Sequence, residues 1–115
     1  MAMFTTSLIT ERISDKKVRL VAPLVYLSDI AGRIEVPIGF ETDLASVPRL
    51  PLTFAVAGDT AHEAAVVHDY LYSEKKISRS KADAVFEEAM NVLGISWWKR
   101  KLMWSAVRAF GWSHY

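Results

Sequence analysis

The chain has 115 residues, 51% hydrophobic and 23% charged, with a formal net charge of +1 and no cysteine. That length suits one domain, here residues 1–115, with an apolar core of its own, and the composition is globular rather than disordered. The near-neutral charge excludes a general pull towards nucleic acid or anionic membrane, and the lack of thiols excludes a disulfide framework, a cysteine nucleophile and sulfur-ligated zinc.

The first residues, MAMFTTSLITER, lack the basic start, apolar run and small-residue cleavage site of a secretory signal. The uncharged run at 50–58 is interrupted by Pro51, and no uncharged run in the chain is long enough to span a bilayer. The expected location is therefore the cytoplasm, or a virion whose components are made there. Residues 4–9 form a weak strand candidate. Residues 17–27 carry Val18, Leu20, Val21, Leu24, Val25, Tyr26 and Leu27, with Pro23 breaking the ladder or marking an edge. After turn chemistry at 29–32, residues 33–40 set Ile34, Val36 and Ile38 against Arg33, Glu35 and Pro37, the alternation of a half-buried strand. Gly39 permits a bend. A long connection over 41–58 follows, with Pro48, Pro51 and Gly58 in it. Such connections are often functional, although Leu52, Phe54 and Val56 also suit a short helix laid on the core.

The second half predicts three helices. The first opens on a capping box, Thr60 to Glu63, and runs to about Tyr72. The second starts near Ser78 or Ser80, carries Ala82, Val85, Phe86, Ala89, Met90 and Leu93 on one stripe, and closes at Gly94. The third starts at Ser96, with Trp98, Leu102, Met103, Ala106, Val107 and Phe110 as its inward stripe and Gly111 as its stop. Strands first and helices later make an α+β fold, a small antiparallel sheet packed against about three C-terminal helices.

At 100° per residue, Ala61, Ala64, Ala65, His68, Leu71 and Tyr72 share an arc of about 120° with His68 at its centre. His68 therefore points inward, and Asp69 and His62 share an adjacent flank. An inward histidine needs a partner for its ring nitrogens, and Asp83 and Asp43 are the candidate carboxylates. Two readings compete. In one, His68 and Asp69, with some of His62, Asp43 and Asp83, hold a divalent metal that activates water. In the other, His68 is a hydrogen-bonded core residue whose carboxylate partner pins the loop and two helices together. The pair His68-Asp69 also occurs in HD-type metal phosphohydrolases, but the remaining ligand spacing of that class does not match. Ser46 with His68 and Asp43 has the composition of a hydrolase triad, yet no nucleophile elbow surrounds Ser46. Thr42 and Asp43 equally suit the capping of a turn.

The last helix interleaves aromatics and bases: Trp97, Trp98, Lys99, Arg100, Lys101, Trp104, Arg108, then Trp112, His114 and Tyr115. That pattern serves a nucleic-acid patch, a membrane-surface helix or a protein interface. Aromatics beside arginine favour the protein interface, and nothing gives a strong nucleic-acid signal.

Residues 36–48, VPIGFETDLASVP, resemble a block of the phage and bacterial family DUF1353, a domain of unknown function. The resemblance continues through 64–72, AAVVHDYLY, then Ser78-Arg79, Ala82-Asp83 and 86–90, FEEAM, and ends at Arg108 and Gly111. It implies a phage or prophage origin and supplies no activity. It also groups Thr42, Asp43, Ser46, His68, Asp69 and Asp83 as the polar positions of the shared blocks. Two functions follow as expectations. The first is a small hydrolase, with His68 as ligand or general base beside Asp43, Asp69 and Asp83. In it one divalent metal ion sits on His68, Asp43 and Asp83, and Thr42, Ser46 and Tyr72 contact substrate. The second is a non-enzymatic phage accessory or virion-associated protein that binds a phage or host protein through the aromatic-basic last helix.

Overall fold

The computed structural model describes residues 1–14, 17–42 and 62–110, without the side chains at 103, 106, 107, 109 and 110. Six short strands form two antiparallel sheets. One sheet orders β1 (Met3–Phe4), β4 (Leu24–Ser28) and β5 (Gly32–Val36) as β1-β4-β5. The other orders β2 (Thr10–Arg12), β3 (Val18–Leu20) and β6 (Glu41–Thr42) as β2-β3-β6. Three helices follow, α1 (His62–Glu74), α2 (Arg79–Val92) and α3 (Trp97–Phe110). The class is α+β, with two small sheets where one was expected.

The division has a local cause at each end. Pro23 lacks an N–H and cannot continue a ladder, so the apolar run from 18 to 27 becomes two strands that serve different sheets. Gly39, at φ 89°, lies in the left-handed region that glycine enters without a Cβ clash. Its N–H donates to the Leu20 carbonyl at 2.8 Å, and the Leu20 N–H donates to the Phe40 carbonyl at 2.9 Å. The chain leaving β5 is thereby turned onto the second sheet, where β6 pairs with β3 through Val18–Thr42 and Arg19–Glu41. Strand β2 was not expected, because Thr-Glu-Arg carries no apolar alternation; its exposed Glu11 and Arg19 of β3 join in an ion pair of 2.7 Å.

The alternation read in β5 is the one the fold uses. Ile34 and Val36 are buried, and Arg33 and Glu35 are exposed. With Leu20, Leu24 and Tyr26 they form the sheet side of a core whose helical side is Val66, Val67, Leu71, Val85, Phe86, Ala89 and Met90. Helix α1 buries more than the expected arc, since Val66 and Val67 are enclosed along with Ala64, Ala65, His68, Leu71 and Tyr72. It lies between β5 and α2, so two of its sides face protein. Helix α2 starts where Ser78 accepts the Lys81 N–H at 3.1 Å. It ends where Gly94, at φ 80°, donates to the Asn91 carbonyl and Ile95 reaches back to Met90, the paired bonds of a left-handed helix stop. The capping box at Thr60 and the stop at Gly111 lie outside the described residues.

Helix α3 departs from expectation. Trp98 and Leu102, read as inward, are 53% and 44% exposed. The side chains of Met103, Ala106, Val107 and Phe110, the rest of that expected stripe, lie outside the described residues. Lys101 reaches Glu87 of α2 with 3.0 Å bonds to both carboxylate oxygens, and Arg108 reaches Asp83. Two ion pairs thus join α3 to α2.

One polar clamp ties sheet to helix. Glu88 of α2 accepts from the Tyr26 hydroxyl at 2.7 Å, the Ser28 hydroxyl at 2.7 Å and the Asp29 N–H at 3.1 Å. Burial first, then the bond and charge of Glu88, push the Tyr26 hydroxyl well above the ordinary tyrosine range, so it stays a donor. Ser28 in turn accepts the N–H groups of Ile30 and Ala31 and fixes the β4–β5 turn. Glu88→Ala leaves the fully buried Tyr26 hydroxyl without its acceptor and is expected to cost about 1–3 kcal/mol in urea denaturation. Glu88→Gln keeps an acceptor and should cost clearly less; equal costs for the two would show that the clamp contributes through packing alone. Among the described residues no helix is long and apolar enough to cross a membrane.

Candidate functional site

Three of the polar residues singled out in the sequence meet inside the core. Asp83, on the first half of α2, is fully buried, and His68 and Tyr72 of α1 are each 5% exposed. They come together because His68 and Tyr72 are four residues apart on one helix, hence on one side of it, and that side faces α2. His68 Nε2 lies 2.7 Å from Asp83 Oδ1, and the Tyr72 hydroxyl donates to the same oxygen at 2.5 Å. Arg108 of α3 donates from Nη1 to Oδ2 at 3.0 Å. Arg79, at the start of α2, donates to the Arg108 carbonyl. One carboxylate thus gathers all three helices.

The electrostatics follow from that geometry. Burial alone would push the Asp83 carboxyl up. The bonds donated by His68 and Tyr72, the attraction of His68 and the bond from Arg108 outweigh it and hold the group below the ordinary aspartate range. An ionised carboxylate has no proton to give, so His68 must carry its proton on Nε2 and donate. Burial, and then the bond and charge of Asp83, raise the Tyr72 hydroxyl well above the ordinary tyrosine range. The His68 ring packs against two aromatic rings, with its centroid 4.2 Å from that of Tyr72 and 4.7 Å from that of Phe86. Among the described residues, His68 Nδ1 has no hydrogen-bond partner.

The arrangement bears on a metal. Two donors bound tetrahedrally at zinc distances stand about 3.3 Å apart. The Nε2–Oδ1 edge is shorter and already holds a proton, and Arg108 places a cation on the other carboxylate oxygen. This edge does not fit a metal ion. Among the described residues no three His, Asp or Glu side chains converge as a cation site. A ligand role for His68 would fall to Nδ1.

Thr42 and Asp69 form a separate pair. Thr42, 2% exposed at the end of β6, donates its hydroxyl to Asp69 Oδ2 at 2.6 Å. Asp69 lies on the flank of α1 expected for it, and the bond ties the second sheet to the first helix. Asp43 and Ser46 lie outside the described residues. Arg108 entered the sequence reading as one base of the last helix's aromatic-basic pattern and as part of the resemblance, not as a partner of His68 or Asp83. Its signal was a lone charge among Ala106, Val107, Ala109 and Phe110, a setting that calls for a buried counter-charge.

A second surface stands on α3. Trp97 is 65% exposed, beside Trp98 and Leu102. Lys99 lies over the Trp98 ring and Lys101 over the Trp104 ring, at 5.5 and 5.8 Å from the centroids. Trp97, Lys101 and Trp104 share one side of the helix, which borders an open groove of about 460 Å³ lined by Ile30, Glu87, Glu88, Asn91, Arg100 and Trp104 among others. Trp112 lies outside the described residues.

The family described as Protein of unknown function (DUF1353) matches residues 18–107, a span that holds β3 to β6, α1, α2 and most of α3. No curated protein sequence and no solved structure matches the chain.

Proposed function

We propose that this chain, which belongs to the DUF1353 family, works by binding a phage or host protein through the outer side of α3, as a non-enzymatic accessory in the host cytoplasm or on a virion. One observation carries this reading. Both oxygens of the Asp83 carboxylate are taken up in holding α1, α2 and α3 together, while the exposed side of α3 keeps two tryptophans and a leucine in water. Large aromatics with basic neighbours are the usual anchors of protein interfaces. The His68–Asp83–Arg108 connections then serve to hold that surface at a fixed angle.

A second reading rests on His68. Its ring is fixed by Asp83 and by two aromatic faces, and Nδ1 has no partner among the described residues. That is the arrangement of an oriented general base. In this reading the chain is a small hydrolase. Asp83 positions His68, Asp43 and Asp69 are the further catalytic carboxylates, and Thr42, Ser46 and Tyr72 contact substrate, with a divalent metal ion as an optional partner of His68 and Asp43.

Two measurements on the purified protein separate the readings. Candidate partners captured from host or phage lysate are purified and titrated against wild type and against Trp97→Ser/Trp98→Ser/Leu102→Ser. The first reading expects at least a tenfold loss of affinity at an unchanged melting temperature; equal affinity removes α3 from the interface. Elemental analysis of wild type and His68→Ala tests the second. About one zinc, manganese or iron per chain, lost in the variant, would support it, whereas a metal-free protein whose variant only melts earlier leaves His68 as a positioning residue.

A further inference from the structure

We infer that the free edge of β5 pairs with β5 of a second copy of this chain, antiparallel and centred on Ile34, to join the two β1-β4-β5 sheets into one. Among the described residues no strand pairs with the side of β5 away from β4. Val25 of β4 turns its backbone groups towards β1, with its carbonyl accepting from Thr5 and its N–H donating to the Thr6 hydroxyl. Tyr26 and Leu24 therefore bond across to β5, where their partners are Ile34 and Val36. By the same alternation, the N–H and C=O groups of Arg33 and Glu35 point away from β4. Among the described residues neither makes a backbone hydrogen bond outside the strand ladders.

An exposed strand edge is a template for another strand, and edges that must stay single are commonly blunted by like charges, proline or a bulge. This edge is instead self-complementary. With Ile34 opposite its own copy, Arg33 falls opposite Glu35 and Glu35 opposite Arg33, so opposite charges meet at both positions. The same two residues would exchange their free backbone bonds, because they form the hydrogen-bonded pair of the new ladder. Arg33 and Glu35 side chains are 59% and 43% exposed and bridge each other at 2.6 Å within one chain; pairing re-uses the bridge between chains. This surface lies on the sheet and is independent of the α3 reading.

Sedimentation velocity between about 10 and 500 micromolar tests it, the range suited to an interface this small. Wild type is expected to pass from monomer to dimer across that range. Arg33→Glu sets carboxylates opposite each other at both pairs, and Glu35→Arg does the same with guanidinium groups, so each variant alone should stay monomeric. Mixed in equal amounts they restore every opposite-charge pair and should form a heterodimer, and the double variant Arg33→Glu/Glu35→Arg should dimerise like wild type. A wild type that remains monomeric throughout overturns the inference. So does a dimer that Arg33→Glu leaves intact, since it would use another face. Recovery in the mixture excludes misfolding as the cause of loss in either single variant.

Discussion

Asp83→Ala is expected to be among the most damaging single substitutions in this chain, costing about 3–5 kcal/mol. The side chain is fully buried and accepts from His68, Tyr72 and Arg108. Its removal leaves a buried imidazole and a buried phenol without their acceptor, and a guanidinium without its counter-charge. Arg108, whose side chain is 35% exposed, can turn to water, but His68 and Tyr72 cannot. Asp83→Asn recovers little, because its amide nitrogen would meet a donor at one of the two oxygen positions. The charge makes a further, pH-dependent statement. The Asp83 carboxyl titrates lower in the folded chain than in the unfolded one. Its contribution is therefore fully present above the unfolded value of about 3.9 and is lost as the pH falls through the lower folded value. Urea denaturation of wild type and Asp83→Ala at pH 7, 5, 4 and 3 should show a stability gap that is constant at the higher values and narrows below about pH 4. A gap of the same size at pH 3 would mean that ionisation of Asp83 is not what the network depends on.

Phe86→Ala is the second large effect, with an expected cost of about 3–5 kcal/mol. Phe86 is fully buried, sits in the shared core of both sheets and helices, and closes one face of the His68 ring. The truncation opens a cavity beside the Asp83 network, so packing and polar geometry fail together. Phe86→Leu fills most of the space and should cost about 1–1.5 kcal/mol. Proton NMR adds a local readout. The His68 ring protons lie over Tyr72 and Phe86, and loss of one aromatic face should move them measurably in Phe86→Leu even though the fold is kept. A cost under about 1 kcal/mol for Phe86→Ala would show that the helices close over the gap. The aromatic enclosure of His68 would then be incidental.

The site was legible in part, for a specific reason. The inward direction of His68 follows from its place at the centre of an apolar helical arc, and Asp83 follows from its place at the border of the α2 stripe; both depend only on the 3.6-residue period. The choice between Asp43 and Asp83 as the carboxylate on His68 was open in the sequence. The structure puts Asp83 there. Arg108 was out of reach as a partner, because nothing local relates position 108 to position 83. The same limit explains α3. Its apolar residues were legible as a stripe, yet Trp98 and Leu102 are exposed, while Lys101 and Arg108 reach Glu87 and Asp83 of α2, pairings that no local sequence pattern specifies.

The amino-acid sequence by itself determined the elements whose causes lie within a few residues. These are the alternation of β5, the stop at Gly94, the positions of three helices and the α+β class, with the cap at Ser78 and the break at Pro23 each one of two local options. The tertiary structure alone decided the rest. It divided the strands between two sheets, paired Thr42 with Asp69, made one carboxylate the meeting point of three helices and left the β5 edge open. Each of those outcomes joins residues far apart in the chain, where backbone period and propensity carry no information and only packing, charge pairing and the satisfaction of buried polar groups select the partner.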